Sequence, residues 1–117
     1  MAAGTSAGGR RSGMYARITT IEGSRDRMYD PTRHVQEHVL PRLSQMKGFR
    51  GFVALSSMQG GKVQGMSLWA TGFAMRASDE AVGPIREEAA EAAGGTVASV
   101  EEFVVSVFEA PSTGPVQ

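Results

Sequence analysis

The sequence predicts an α+β fold of the ferredoxin-like type, a βαββαβ sandwich in which two helices cover one face of a four-stranded antiparallel sheet. Four β-prone runs and two helical stretches follow one another in that order. A Gly-Gly pair at residues 60–61 joins the two middle runs as a hairpin. A chain of 117 residues is long enough for one such domain but not for a second hydrophobic core.

The first half of the chain predicts one strand and one helical stretch. The strand covers residues 14–21. The helical stretch begins after either Ser24 or Asp30, since both side chains can cap a helix. Pro41 is expected to kink this helix or to split it after Leu40, because proline lacks the backbone N–H group. Residues at helical spacing mark its buried stripe: Met28, Thr32, Val35, Val39, Leu43 and Met46.

The second half of the chain predicts a hairpin, a second helical region and a last strand. The hairpin strands cover residues 49–58 and 62–70. The helical region opens at Thr71 and is expected to break at Gly83-Pro84, because proline favours the first position of a new helix. The last strand covers residues 96–108.

The two ends of the chain differ in composition from the middle. Residues 1–13 consist mainly of small residues and are expected to form a disordered leader, whereas residues 111–117 read as a flexible tail. Residues 14–110 then form the single domain. The basic pair Arg10 and Arg11 is followed by no apolar run, so we expect no secretory signal and a cytoplasmic protein.

Composition argues against several functional classes. Twelve basic and twelve acidic residues give a formal charge of zero, and no basic cluster predicts binding to nucleic acid or to a membrane surface. No apolar run approaches the length of a membrane-spanning helix. There is no cysteine, which excludes disulfides and thiolate chemistry. We expect no metal and no cofactor.

The predicted strands are apolar on both faces, although helices cover only one face in this fold. Residues 103–108, in which Ser106 is the one polar residue, and residues 52–55 are apolar on both faces, and Met66 and Leu68 lie on the face opposite Trp69. A second apolar face must be covered, and a twin sheet covers it with no other partner. This pattern predicts a homodimer with the two sheets packed together. A loosely packed monomer is the alternative.

The histidines are the first candidates for chemistry. His34 and His38 lie four residues apart, which places both rings on one helix face, as in a helical metal pair. A metal site needs further ligands, however, and Glu37 points to another face. The lack of further ligands therefore favours the alternative, that both histidines are structural or solvated.

Trp69, the single tryptophan, is the second candidate. Ser67 and Gly65 precede it on the same side of the strand, and such small side chains leave room for a ligand pocket beside Trp69. The alternative is that Trp69 is a core residue under the second helix. Arg17 interrupts an apolar strand and either faces this pocket or pairs at the rim with Glu101 or Glu102.

Several short segments together resemble the antibiotic biosynthesis monooxygenase superfamily. They are Val39-Leu40-Pro41, Lys47-Gly48-Phe49-Arg50-Gly51, Leu68-Trp69 before an alanine-rich helix, and Gly94-Gly95-Thr96 before the last strand. The resemblance covers about residues 14–110. It implies a dimeric α+β barrel with a pocket between sheet and helices in each subunit.

The resemblance implies two kinds of activity, and the sequence departs from both. Characterised relatives are cofactor-independent quinone-forming oxygenases or heme-degrading oxygenases, and Trp69 matches the tryptophan on their third strand. The resemblance also implies an asparagine in the pocket of both groups and, in the heme degraders, a histidine on the second helix that binds iron. This chain contains no asparagine, and its second helical region contains no histidine. One hypothesis is a cofactor-independent oxygenase for a small aromatic or polyketide-like substrate, in which His34 or His38 assists deprotonation. The other is a non-catalytic dimeric module that binds a small apolar ligand or serves a structural role.

Overall fold

The structure, a computed structural model, describes residues 13–110. The sheet order is β2-β3-β1-β4 and every neighbouring pair is antiparallel, so the predicted ferredoxin-like topology is confirmed. Apart from Gly13, the predicted leader and tail lie outside the described residues. The elements are β1 (Tyr15–Glu22), α1 (Thr32–His34), a π-helical segment (Val35–Val39), α2 (Leu40–Leu43), β2 (Phe49–Ser56), β3 (Lys62–Trp69), α3 (Gly72–Ala77), α4 (Asp79–Ala93) and β4 (Thr96–Val104).

The strand register assigns each side chain to one of two faces. Arg17 pairs with Ser67, and the Arg17 side chain bonds to the carbonyl of Met75 in α3, so this row faces the helices. The next row pairs Ile18 with Met66 and therefore faces away from the helices. We call the second surface the outer face. No helix within residues 13–110 is both long and apolar enough to cross a membrane.

Of the two starts left open for the first helical stretch, the later one is found. The Asp30 carboxylate accepts hydrogen bonds from the Thr32 backbone N–H at 2.9 Å and from the Thr32 hydroxyl at 2.7 Å. Ser24 instead closes a turn, because its carbonyl accepts from the N–H groups of Arg27 and Met28. The helix therefore begins at Thr32, shortly after Asp30, with Pro31 at its N-cap position.

The split after Leu40, one of the two outcomes expected of Pro41, is not found, and the helix is disturbed on the N-terminal side of the proline. The Leu40 N–H bonds to the carbonyl of Val35, five residues back, which is the π-helical spacing. Pro41 then occupies the first turn of α2, where its missing N–H costs least. The helix thus accommodates Pro41 by one extra residue in the preceding turn, without a split after Leu40.

The predicted break at Gly83-Pro84 is wrong. Both residues lie inside α4, and the helical axis is interrupted instead at Ser78 between α3 and α4. A residue before proline is driven out of the helical region by its own Cβ, and Gly83 has none. In the described part of the chain, no side chain or neighbouring segment lies within 4 Å of the position that a Cβ atom at Gly83 would occupy.

The last strand ends at Val104, four residues before the predicted end. The ladder with β1 begins at Tyr15, which pairs with Val104, so β1 provides no partner for residues 106–108. The β2 strand likewise ends at Ser56, because Ser57 already closes the hairpin by donating to the carbonyl of Lys62. Apolar composition extended both predictions beyond the available pairing.

The core between sheet and helices consists of two clusters. Val39, Leu43, Val82 and Ile85 join the π-helical segment, α2 and α4. Ile21 packs with Ala90 and Ala93 at the other end of α4. The space between these clusters and the sheet contains the site described next.

Candidate ligand cavity

A cavity of about 80 Å³ lies between the helix-facing side of the sheet and the helices. Most of its wall is apolar. The polar exceptions include two arginines, Arg17 from β1 and Arg86 from α4. Apolar lining residues from the helices are Val35, Val39, Leu43, Val82, Ile85 and Ala89, and lining residues from the sheet include Thr19, Ile21, Phe52, Ala54, Val63, Gly65 and Ser67.

Two small residues on β3 that the sequence analysis proposed for a ligand pocket lie beside this space. Gly65 and Ser67 both line the cavity. A Cβ atom at Gly65 would lie 2.9 Å from Cζ of Phe52, closer than side chains tolerate. The Phe52 ring therefore rests on the glycine, and a larger residue there would move the ring and narrow the cavity.

Trp69 lies behind the wall of the cavity and is not one of its lining residues. It is fully buried, and its indole N–H donates to the Ser67 hydroxyl at 2.8 Å. Its ring meets Phe49 edge to face, with centroids 5.6 Å apart. Trp69 therefore bonds to the lining residue Ser67 without lining the cavity itself, in keeping with the core position that was the alternative.

Arg17 is the most buried charged side chain in the described chain, with 1% of its surface exposed. One terminal nitrogen donates to the Ser78 hydroxyl at 3.1 Å, and the other donates to the Met75 carbonyl at 2.6 Å. The second also meets the Glu102 carboxylate at 3.3 Å. Both sequence alternatives hold together, since Arg17 lines the cavity and pairs with one of the two glutamates predicted. Its Nε has no hydrogen-bond partner.

Arg86 is the site residue that the sequence analysis missed. Its side chain is 13% exposed, and its nearest charged partner is Asp79, whose carboxylate oxygen lies 3.7 Å from a terminal nitrogen. Nε and that nitrogen are buried without a hydrogen-bond partner. A signal was present, because Arg86 lies four residues after Val82 and four before Ala90, on the buried stripe of α4.

The two histidines are close together but do not line the cavity. The ring centroids of His34 and His38 are 5.0 Å apart, and Nε2 of His34 is buried without a hydrogen-bond partner. Across from them, Arg42 bonds to Glu88 at 2.7 Å and lowers the pKa of that carboxyl group. Within residues 13–110, no three side chains able to bind a metal lie close together.

The cavity therefore offers cationic donors and an apolar wall. Among residues 13–110, the side chains that line it include no carboxylate, imidazole, amine or phenol that could accept a proton from a ligand. Guanidinium groups in an apolar wall favour an anion. The arrangement can hold and stabilise a negatively charged apolar molecule, but it offers no side chain as a general base.

Comparisons with known sequences find relatives without an assigned activity, and no protein-family model matches the chain. The uncharacterised protein Rv2557 of Mycobacterium tuberculosis is 41% identical over 95 residues, 81% of this chain. The uncharacterised protein Rv2558 of the same organism is 40% identical over 100 residues, 86% of this chain. The chain spans 42% of the length of each of these relatives.

Solved structures with the same fold include named oxygenases. SnoaB, a cofactor-independent oxygenase from Streptomyces nogalater, superposes with a TM-score of 0.58 at 15% identity, over 90% of this chain and 100% of its own. The ActVA-Orf6 monooxygenase of Streptomyces coelicolor, solved with nanaomycin D, gives 0.56 at 17% identity, over 90% and 92%. A candidate antibiotic biosynthesis monooxygenase from Bordetella bronchiseptica gives 0.59 at 17% identity, over 78% and 95%.

Identities of 15–17% show a shared fold and not a shared activity, and the superpositions cover 78–90% of this chain. The protein thus has the α+β fold of the antibiotic biosynthesis monooxygenase-like proteins, as the sequence resemblance implied.

Proposed function

We propose that this domain binds a small aromatic or polyketide-like phenol in the cavity and lets it react with dioxygen without a cofactor. The observation that carries the proposal is the apolar cavity with two buried arginines in its wall. The oxygenases of the same fold support the choice of reaction.

The wall of the cavity suits a reaction that begins with a phenolate. A phenolate gives up electrons to dioxygen far more readily than a phenol, so a site that favours the anion favours the reaction. The guanidinium groups of Arg17 and Arg86 lower the pKa of a phenol placed beside them, because an opposite charge stabilises the ionised form. An apolar wall strengthens this effect by excluding water.

The overall reaction balances without an external reductant. In a phenol whose keto form contains a ring CH2 group, one oxygen atom of dioxygen becomes the new carbonyl oxygen of a quinone. The other oxygen leaves as water with the two hydrogens of that CH2 group, and the substrate supplies all four electrons. The protein needs only to bind, ionise and shield the substrate.

The proposed chemistry does not use His34 or His38, since neither lines the cavity. With no general base in the wall, the phenol loses its proton to water as it enters, and the arginines hold the resulting anion. The enclosed volume of about 80 Å³ is also smaller than the roughly 150 Å³ of a cavity that holds benzene. An aromatic substrate therefore enters only if the wall opens further.

The lack of a proton acceptor in the wall favours a second candidate, a binding module without catalysis. In that case the same cavity holds an apolar anion that is not changed. The two candidates differ in one measurable respect, the consumption of dioxygen by the bound phenol.

The experiment is oxygen uptake with a hydroxylated anthrone, corrected for the spontaneous rate without protein. We expect uptake above that rate, with one dioxygen consumed per quinone formed. Ala54→Leu should abolish the excess uptake, because Ala54 lines the cavity and leucine fills it. Ala81→Leu, an exposed position on α4, is the matched control and should leave the rate unchanged. Uptake equal to the spontaneous rate would reject the oxygenase and leave the binding module.

We also propose that the domain works as a homodimer that pairs the outer faces of two sheets. Val53, Leu55 and Phe103 lie on this face and are 38%, 51% and 43% exposed. Sedimentation equilibrium should give twice the chain mass of 12.4 kDa, and Val53→Arg should give the single mass. A monomer mass for the unaltered protein at micromolar concentration would reject the homodimer.

A further inference from the structure

We infer that the ligand of this cavity carries an anionic oxygen on an apolar body, and that Arg86 binds this oxygen with support from Arg17. The inference rests on the proposed function in one respect, that the cavity holds a ligand. It goes further by assigning the selection of a charged over a neutral ligand to one residue, Arg86.

Charged hydrogen-bond donors in the wall of the cavity are buried without acceptors. Arg17 is 1% exposed and its Nε–H has no partner. Arg86 is 13% exposed, and both its Nε and one terminal nitrogen lack a hydrogen-bond partner. Buried polar groups in folded proteins are almost always hydrogen-bonded, and a buried charged donor without a partner is especially costly. Two such groups on the wall of one cavity indicate a missing acceptor.

The nearby carboxylates do not act as the missing acceptor for Arg86. Asp79 lies 3.6 Å from Arg17 and 3.7 Å from Arg86, beyond hydrogen-bonding distance in both cases. It is 63% exposed, so water screens its charge. Glu102 reaches only Arg17, at 3.3 Å, and is 41% exposed. Arg86 thus has a partly buried positive charge and no carboxylate bonded to it.

The neutral polar groups at the cavity do not supply the acceptor either. The Ser67 hydroxyl accepts from Trp69 and the Gln64 amide donates to Thr20, and neither bonds to Nε or the unpartnered terminal nitrogen of Arg86. The remaining wall is apolar and suits a hydrocarbon or an aromatic ring. One negative oxygen next to Arg86, attached to such a body, matches both parts of the cavity.

The experiment compares two probes of the same size, benzoate and benzamide, by NMR titration of the isotopically labelled protein. Benzoate should bind at least tenfold more tightly than benzamide, because hydrogen bonds to charged groups contribute about that much or more. Arg86→Met should remove this preference by weakening benzoate alone. Arg86→Lys should restore part of it, since the charge returns without the planar fork.

The control is Arg33→Met, which removes an exposed positive charge outside the cavity and should change neither affinity. A second pair, 4-nitrophenolate and 4-nitroanisole at pH 8, distinguishes a phenolate ligand from a carboxylate. Equal binding of the charged and neutral probes would overturn the inference and leave the cavity as a ligand site. An Arg86→Met variant that keeps the full preference would also overturn it. Binding of neither probe would overturn the ligand site itself.

Discussion

Replacing Ser67 by alanine tests how the wall of the cavity is built. The Ser67 hydroxyl accepts the indole N–H of Trp69 at 2.8 Å, and Trp69 is fully buried while Ser67 is 7% exposed. Ser67→Ala leaves this N–H without an acceptor in a dry environment. The desolvation cost of such a group is about 1–3 kcal/mol. For a domain of this size, each kcal/mol lowers the melting temperature by about 4–8 °C.

The assay is urea unfolding followed by circular dichroism, repeated in the Trp69→Phe background. If the hydrogen bond accounts for the loss, Ser67→Ala should cost much less when no indole N–H is present, and the double-mutant cycle gives the coupling energy. Ser67→Thr is the matched control, because it keeps the hydroxyl group. The reasoning is refuted if Ser67→Ala is as stable as the unaltered protein, or if its cost is the same in both backgrounds.

Three further predictions concern the turn after α4, the Arg42–Glu88 pair and Asp79. Gly94→Ala should lower the free energy of unfolding by more than about 1 kcal/mol in urea titrations, because Gly94 has φ of +78° and a Cβ would lie 2.6 Å from the Arg27 carbonyl oxygen; an unchanged midpoint would contradict this. The folded-state pKa of Glu88 lies below 4.5 because of Arg42, so this pair stabilises the fold above that pH and ceases to do so as pH falls through the lowered pKa. Glu88→Gln should therefore reduce the drop in the urea unfolding midpoint between pH 6 and pH 3. A drop as large as that of the unaltered protein would argue against a stabilising pair. Asp79→Asn should tighten benzoate binding about two- to fivefold in the NMR titration, because a competing negative charge is removed from both arginines; weaker binding would show that Asp79 positions Arg86.

The topology was readable from the sequence because it depends on patterns that local physics imposes. The β-prone runs between turn residues, the Gly-Gly hairpin and the threonine cap at Thr71, whose side chain accepts the Ala74 N–H at 2.9 Å, each act over a few residues. Errors arose where tertiary context overrides local preference. Pro84 continues a helix because Gly83 precedes it, and the last strand stops where its partner strand stops.

The site was only partly readable, for a different reason. Gly65 and Ser67 were found because small residues at alternate positions of a strand leave space on one face. The sequence analysis also assigned Trp69 to this pocket, because the sequence does not show that the indole N–H bonds to the Ser67 hydroxyl. Arg86 was missed because a single charged residue within an alanine- and glutamate-rich helix reads as part of the solvated face. Only its spacing from Val82 and Ala90 reveals that it is buried.

The most direct test of the central claim is a crystal structure of the protein with benzoate. The claim is that the space between sheet and helices is a ligand site that selects an anion through Arg86. We predict benzoate between Phe52 and α4, with its carboxylate within hydrogen-bonding distance of the Arg86 guanidinium. Benzoate on the outer face of the sheet, or an empty cavity at saturating benzoate, would contradict the claim.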